Sequence, residues 1–65
     1  MDRLEQLGEV RRLAARIVAE RGTDGDARAA FLEQAVAFPH VSSSERVKIW
    51  NEAAGIDNRT GLPIR

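Results

Sequence analysis

Residues 38–55 read FPHVSSSERVKIWNEAAG, and the organisation of the whole chain follows from them. Pro39 disfavours helical backbone at Phe38, so an element running into this stretch stops there. His40 and Val41 then form a turn. Ser42 followed three residues later by Glu45 is a capping box, in which each side chain satisfies the other residue's backbone N–H. A helix started this way runs over residues 43–54. Gly55 supplies the left-handed residue that ends it, and Ile56 is placed to fold back on the last turn. Val47, Trp50, Ala53 and Ala54 are the expected inward face, with Arg46 one turn before Trp50 and able to stack on the indole.

Upstream of the break, residues 25–38 carry Ala27, Ala30, Phe31, Ala35 and Phe38 on one side and Leu32 and Val36 well round from them. This predicts a second helix with apolar residues on two faces. Asp24 is its preferred N-cap, with Thr23 and Asp26 as alternatives. The first helix is expected over residues 2–21, ended by Gly22. Its apolar residues, Leu4, Leu7, Val10, Leu13, Ala14, Ile17 and Val18, recur at steps of three and four. At about 100° per residue they cover close to half the circumference. Glu9–Arg12 and Arg16–Glu20 are spaced to pair on the other side, each pair contributing ~0.2–0.5 kcal/mol. Gly8 either weakens the helix by about 1 kcal/mol relative to alanine or admits a close helix crossing. Residues 56–65 form a tail with a polar turn over residues 57–61 and then an extended stretch over residues 62–64, and Leu62 or Ile64 is expected to close the open end of the bundle. The alternative is that the tail docks on a neighbouring chain. The fold class is therefore all-α, a small three-helix bundle with a short extended C-terminal tail, in one domain.

A 65-residue chain buries only about 60% of the surface its unfolded form exposes. Disulfides and thiolate zinc sites are excluded because there is no cysteine, and a single histidine excludes a multi-histidine metal site. No cofactor is expected. Ten basic and ten acidic residues cancel, so no net field draws the chain to nucleic acid or to anionic lipid. Ten alanines, with arginine at every basic position except Lys48, point to a GC-rich bacterial or phage coding sequence. The first residues suit neither a signal peptide nor a membrane span, which places the expected location in the cytoplasm. The sequon Asn58-Arg59-Thr60 is read as chance.

Catalytic and metal chemistry find little support. His40 beside Ser42, Ser43 and Ser44 is the only cluster resembling nucleophilic machinery, and those serines already have work at a helix start. Glu5 and Glu9 make a surface carboxylate pair without an apolar pocket to raise either pKa. Asp24-Gly25-Asp26 lacks calcium-loop spacing, because Arg28 falls at the fifth position and Ala35 where a bidentate glutamate belongs. A membrane-surface helix is also unfavoured, since the polar face of residues 2–21 carries as much acid as base.

Two function classes remain. A helix-turn-helix DNA reader would use the helix over residues 43–54 as its recognition helix, with Ser44, Lys48 and Asn51 at the DNA. Glu45 and Glu52 share that outward face and would repel the backbone. The favoured reading is a non-catalytic protein-interaction module: an adaptor, regulator or assembly protein, acting as a homo-oligomer or on one partner protein. Apolar surface beyond what a lone three-helix bundle hides is generally covered by another chain. The expected seam is Leu4, Leu7, Val10, Arg11, Ala14 and Val18. Leu32 and Val36 form a second candidate, and Leu62 and Ile64 a third.

Overall fold

The computed structural model describes residues 2–64; Arg65, the last residue of the expected tail, lies outside them. Among the described residues the chain forms three helices, α1 (Arg3–Arg21), α2 (Gly25–Ala35) and α3 (Ser43–Ala54). Each begins where a short polar side chain can accept an otherwise unpaired amide. Asp2 Oδ1 accepts the Glu5 amide at 2.8 Å, so Asp2 caps α1 rather than opening it. Asp24 Oδ1 does the same for the Ala27 amide at 2.8 Å. The capping box of α3 is complete. The Glu45 amide donates to Ser42 Oγ at 3.2 Å, and the Ser42 amide donates to Glu45 Oε1 at 3.1 Å.

The helix ends are equally local in origin. Gly55 adopts φ 72° and lets the chain reverse. The Ile56 amide then reaches the Asn51 carbonyl at 2.8 Å and the Gly55 amide that of Glu52 at 3.4 Å, the paired bonds of a Schellman end. α2 stops at Ala35, three residues short of the expected Phe38. A continuing α-helix would need an N–H from Pro39 for the Ala35 carbonyl, and proline has none. That carbonyl instead takes the Phe38 amide at 3.0 Å, and the Gln34 carbonyl takes the Ala37 amide at 3.2 Å. The last turn is thereby tightened before the proline is reached.

α1 and α3 run alongside each other in the same sense: the Arg3–Glu45 ion pair joins their first turns, and Leu7 and Arg11 continue along one groove with Ile49 and Glu52. α2 packs against both, its C-terminal end brought beside the start of α1. Gln6 Oε1 accepts the His40 amide at 2.9 Å, which ties the start of α1 to the connection between α2 and α3. The core takes Val10, Leu13, Ala14 and Ile17 from α1, Ala27, Phe31 and Ala35 from α2, Val41 from the connection, and Ile49 and Trp50 from α3. Phe31 and Trp50 stack with ring centroids 5.3 Å apart and planes at 28°. Leu7, Val18, Leu32 and Phe38 pack half-buried around this core.

Three local expectations are corrected. α3 buries Ile49 and Trp50 most deeply, with Val47 half-buried, so its inner face is turned towards Ile49, the larger hydrophobe facing α1. Arg46 does not stack on Trp50. Its Nη2 donates to the Phe38 carbonyl at 3.1 Å, clipping α3 to the end of the α2 turn. On α1 the Glu9–Arg12 pair forms, whereas Arg16–Glu20 is not among the ion pairs of the described residues.

The tail does not close the bundle with its apolar side chains. It returns as a small hairpin bridged at Ile56 and Pro63. The Asp57 amide donates to the Leu62 carbonyl at 2.8 Å and the Ile64 amide to that of Gly55 at 3.0 Å. Asn51 Nδ2 on α3 donates to Asn58 Oδ1 at 2.9 Å. Polar bonds hold the tail, leaving Leu62 64% and Ile64 71% exposed.

Candidate protein-interaction surface

The expected seam on α1 divides into three depths. Val10 and Ala14 are fully buried in the chain's own core, so neither is available to a partner. Both sit on the inner edge of a stripe too wide to lie at one depth. Leu7 and Val18 are half-buried against that core. Leu4, at 76%, and Arg11 lie open to solvent. Leu32 is half-buried, whereas Val36 is 65% exposed, because at about 100° per residue it lies on the opposite side of the helix from buried Ala27.

These open side chains are not one patch. Leu4 lies near the start of α1 and Val36 just beyond the end of α2, at the end of the bundle where Gln6 meets His40. Leu62 and Ile64 follow the end of α3, at the opposite end.

A groove of about 280 Å³ runs between α1 and α3. Leu7 and Ile49 form its apolar floor, and Arg3, Arg11, Lys48 and Glu52 stand on its banks. A second hollow of about 310 Å³ lies between α1 and α2 over Leu13 and Phe38, beside the paired Glu9 and Arg12. In the first groove Glu45 is already committed. Its carboxylate takes the Ser42 amide and pairs with Arg3. These contacts hold its pKa below the ordinary carboxylate value: first the backbone hydrogen bond from Ser42, opposed by desolvation, then the Ser42 hydroxyl and the charges of Arg3 and Lys48.

The three residues expected at DNA are not brought together. Ser44 and Lys48 stay exposed on α3. Asn51 is only 8% exposed, its amide turned to Asn58 in the tail. The polar turn after Gly55 supplies a partner that helical periodicity does not reveal. His40 is exposed, with its amide held by Gln6. Ser42 is spent on the cap, its hydroxyl 3.4 Å from that of Ser44. Among the described residues no group of three or more His, Asp or Glu side chains is placed to hold a metal ion, and no helix is long and apolar enough to cross a membrane.

Sequence reading missed Gln6 and Glu45. Gln6 is buried at 6% exposure, a polar residue one turn before Val10 on the inner stripe. That position was the available signal, since a buried amide needs a partner. Glu45 was legible as a cap; its pairing with Arg3, far away in sequence, required the helix packing. Comparison with protein-family models, with curated proteins and with solved structures found no match to this chain.

Proposed function

We propose that this chain is a non-catalytic helical module that works by binding protein, as an adaptor, regulator or assembly component. One observation carries the reading. Leu4, Val36, Leu62 and Ile64 remain 64–76% exposed on a chain whose core is already filled by Trp50, Phe31 and their neighbours. Single exposed leucines are ordinary on soluble proteins. Here four large apolar side chains stay open on a very small surface. The chain exposes 4504 Å², against about 4,100 Å² for a compact monomer of 7.2 kDa. Leu4 continues into half-buried Leu7 and Val18 on one flank of α1, and covering such surface is the simplest use for it, whether by a second copy or by a different protein.

The test is sedimentation equilibrium over a wide range of chain concentrations, with affinity capture on the full chain and on a variant carrying Leu4→Asp and Leu62→Asp. Both substitutions are at exposed positions, so each changes folding stability by no more than about 0.5 kcal/mol. Association or capture that the variant loses supports the proposal. A strict monomer that retains no protein sinks it.

A further inference from the structure

The groove between α1 and α3 has a charge pattern that narrows the kind of partner. At about 100° per residue, Leu4, Leu7, Ala15 and Val18 all fall within about 40° of Arg11 around α1. The acids of the same helix, Glu5, Glu9 and Glu20, lie about 120° or more from it. This flank of α1 is therefore apolar with a cation at its centre and no acid of its own helix beside it; the acids that line the groove with Arg11, Glu45 and Glu52, come from α3. Arg11 has no ion pair among the described residues. On the facing bank Lys48 is exposed and likewise unpaired, while Glu45 is committed to Ser42 and Arg3.

A second copy of the chain fits this flank poorly. The antiparallel twofold pairing that matches Leu4 with Val18 and Leu7 with Ala15 also sets Arg11 against Arg11. Like charges meeting at the centre of an interface oppose assembly. A partner helix with acidic residues beside an apolar stripe has no such conflict. Glu52 remains on the far bank, so the partner's acids belong over α1 and near Lys48, not over Glu52.

We infer that the flank of α1 beside this groove receives one amphipathic helix of a different protein, with its apolar stripe on Leu4, Leu7 and Val18 and its carboxylates towards Arg11 and, across the groove, Lys48. The inference rests on the protein-binding reading above and specifies its site. It is tested on the full chain with a synthetic helix-forming peptide bearing a leucine stripe flanked by glutamates, and with a twin in which every glutamate is lysine. Binding is followed by backbone amide shifts in two-dimensional NMR. The glutamate peptide is expected to bind about tenfold more tightly than its twin, with shifts centred on Leu4, Leu7, Arg11, Lys48 and Ile49. Arg11→Glu, an exposed change whose fold is checked by circular dichroism, is expected to reverse that preference. Equal binding of the two peptides, shifts centred elsewhere, or no binding overturns the inference. If the chain instead self-associates through the same residues, the foreign helix is refuted and the protein-binding reading stands. If sedimentation and capture are negative as well, both fall.

Discussion

Gly8 offers a measurement in which the folded chain and its surroundings make opposite predictions. It lies inside α1, where glycine costs about 1 kcal/mol relative to alanine. A β-carbon built at Gly8 meets nothing within 4 Å. Gly8→Ala is therefore expected to stabilise the isolated chain by about 1 kcal/mol, raising Tm by about 4–8 °C in a domain of this size. Gly55→Ala is the matched control. A β-carbon there also meets nothing within 4 Å, but the backbone sits at φ 72°. The cost is then purely conformational, about 1–2 kcal/mol of destabilisation. Thermal and urea unfolding by circular dichroism, at low and high chain concentration, measure both. The reasoning is refuted if Gly8→Ala destabilises at low concentration, because nothing within one chain opposes the added methyl. Destabilisation at high concentration alone would mean that a second copy lies against Gly8, contrary to the foreign-helix inference.

Trp50→Ala removes the fully buried ring that stacks on Phe31, a loss of ~3–5 kcal/mol. That matches the whole stability expected of so small a core, so circular dichroism at 25 °C should show a largely unfolded chain. Gln6→Met keeps most of the volume but removes the acceptor for the His40 amide. It should cost ~1–3 kcal/mol in urea unfolding, and an unchanged midpoint would show that the bond contributes nothing. Asn51→Ala breaks the link to Asn58, with an expected loss of ~1 kcal/mol and faster hydrogen exchange at the Asp57 and Ile64 amides; unaltered exchange would show that the tail is held without it. Glu45 has a lowered folded-state pKa, so its contribution is fully present above the unfolded-state value and is lost as pH falls through the folded-state value. Glu45→Gln should flatten the acid limb of the stability profile below about pH 4.5, and an acid limb identical to that of the parent chain would refute the assignment.

Much of the architecture was legible because it is encoded locally. Caps at Asp24 and Ser42, stops at Gly22 and Gly55, and the break at Pro39 depend on residues within a few positions of one another. The stripe on α1 identified the right residues but not their depth. Val10 and Leu4 belong to one apolar arc, and only the placement of α2 and α3 makes Val10 core and Leu4 surface. Asn51 shows the same limit in the other direction. Its helical phase points outward, and it becomes buried because the tail returns over it and supplies Asn58. The tail departs from its sequence pattern for a related reason. Apolarity implied that Leu62 and Ile64 pack inward, whereas backbone pairing at Ile56 and Pro63 sets the chain direction and leaves both side chains in water.

Small size links the proposed binding role to folding itself. A core supplying ~3–5 kcal/mol leaves a margin comparable to what a partner adds. A ligand that binds only the folded chain, present at a hundred times its dissociation constant, stabilises it by ~2.7 kcal/mol. Residues at the open ends therefore influence how much folded chain exists as well as what it touches. An Arg11→Glu chain should unfold at the same urea concentration as the parent when alone, because Arg11 is exposed and unpaired. With the glutamate peptide in excess, the parent midpoint should rise and the variant's should not. If both midpoints rise equally, the stabilising contact lies elsewhere on the surface, and the cation at the centre of the α1 flank has no part in choosing the partner.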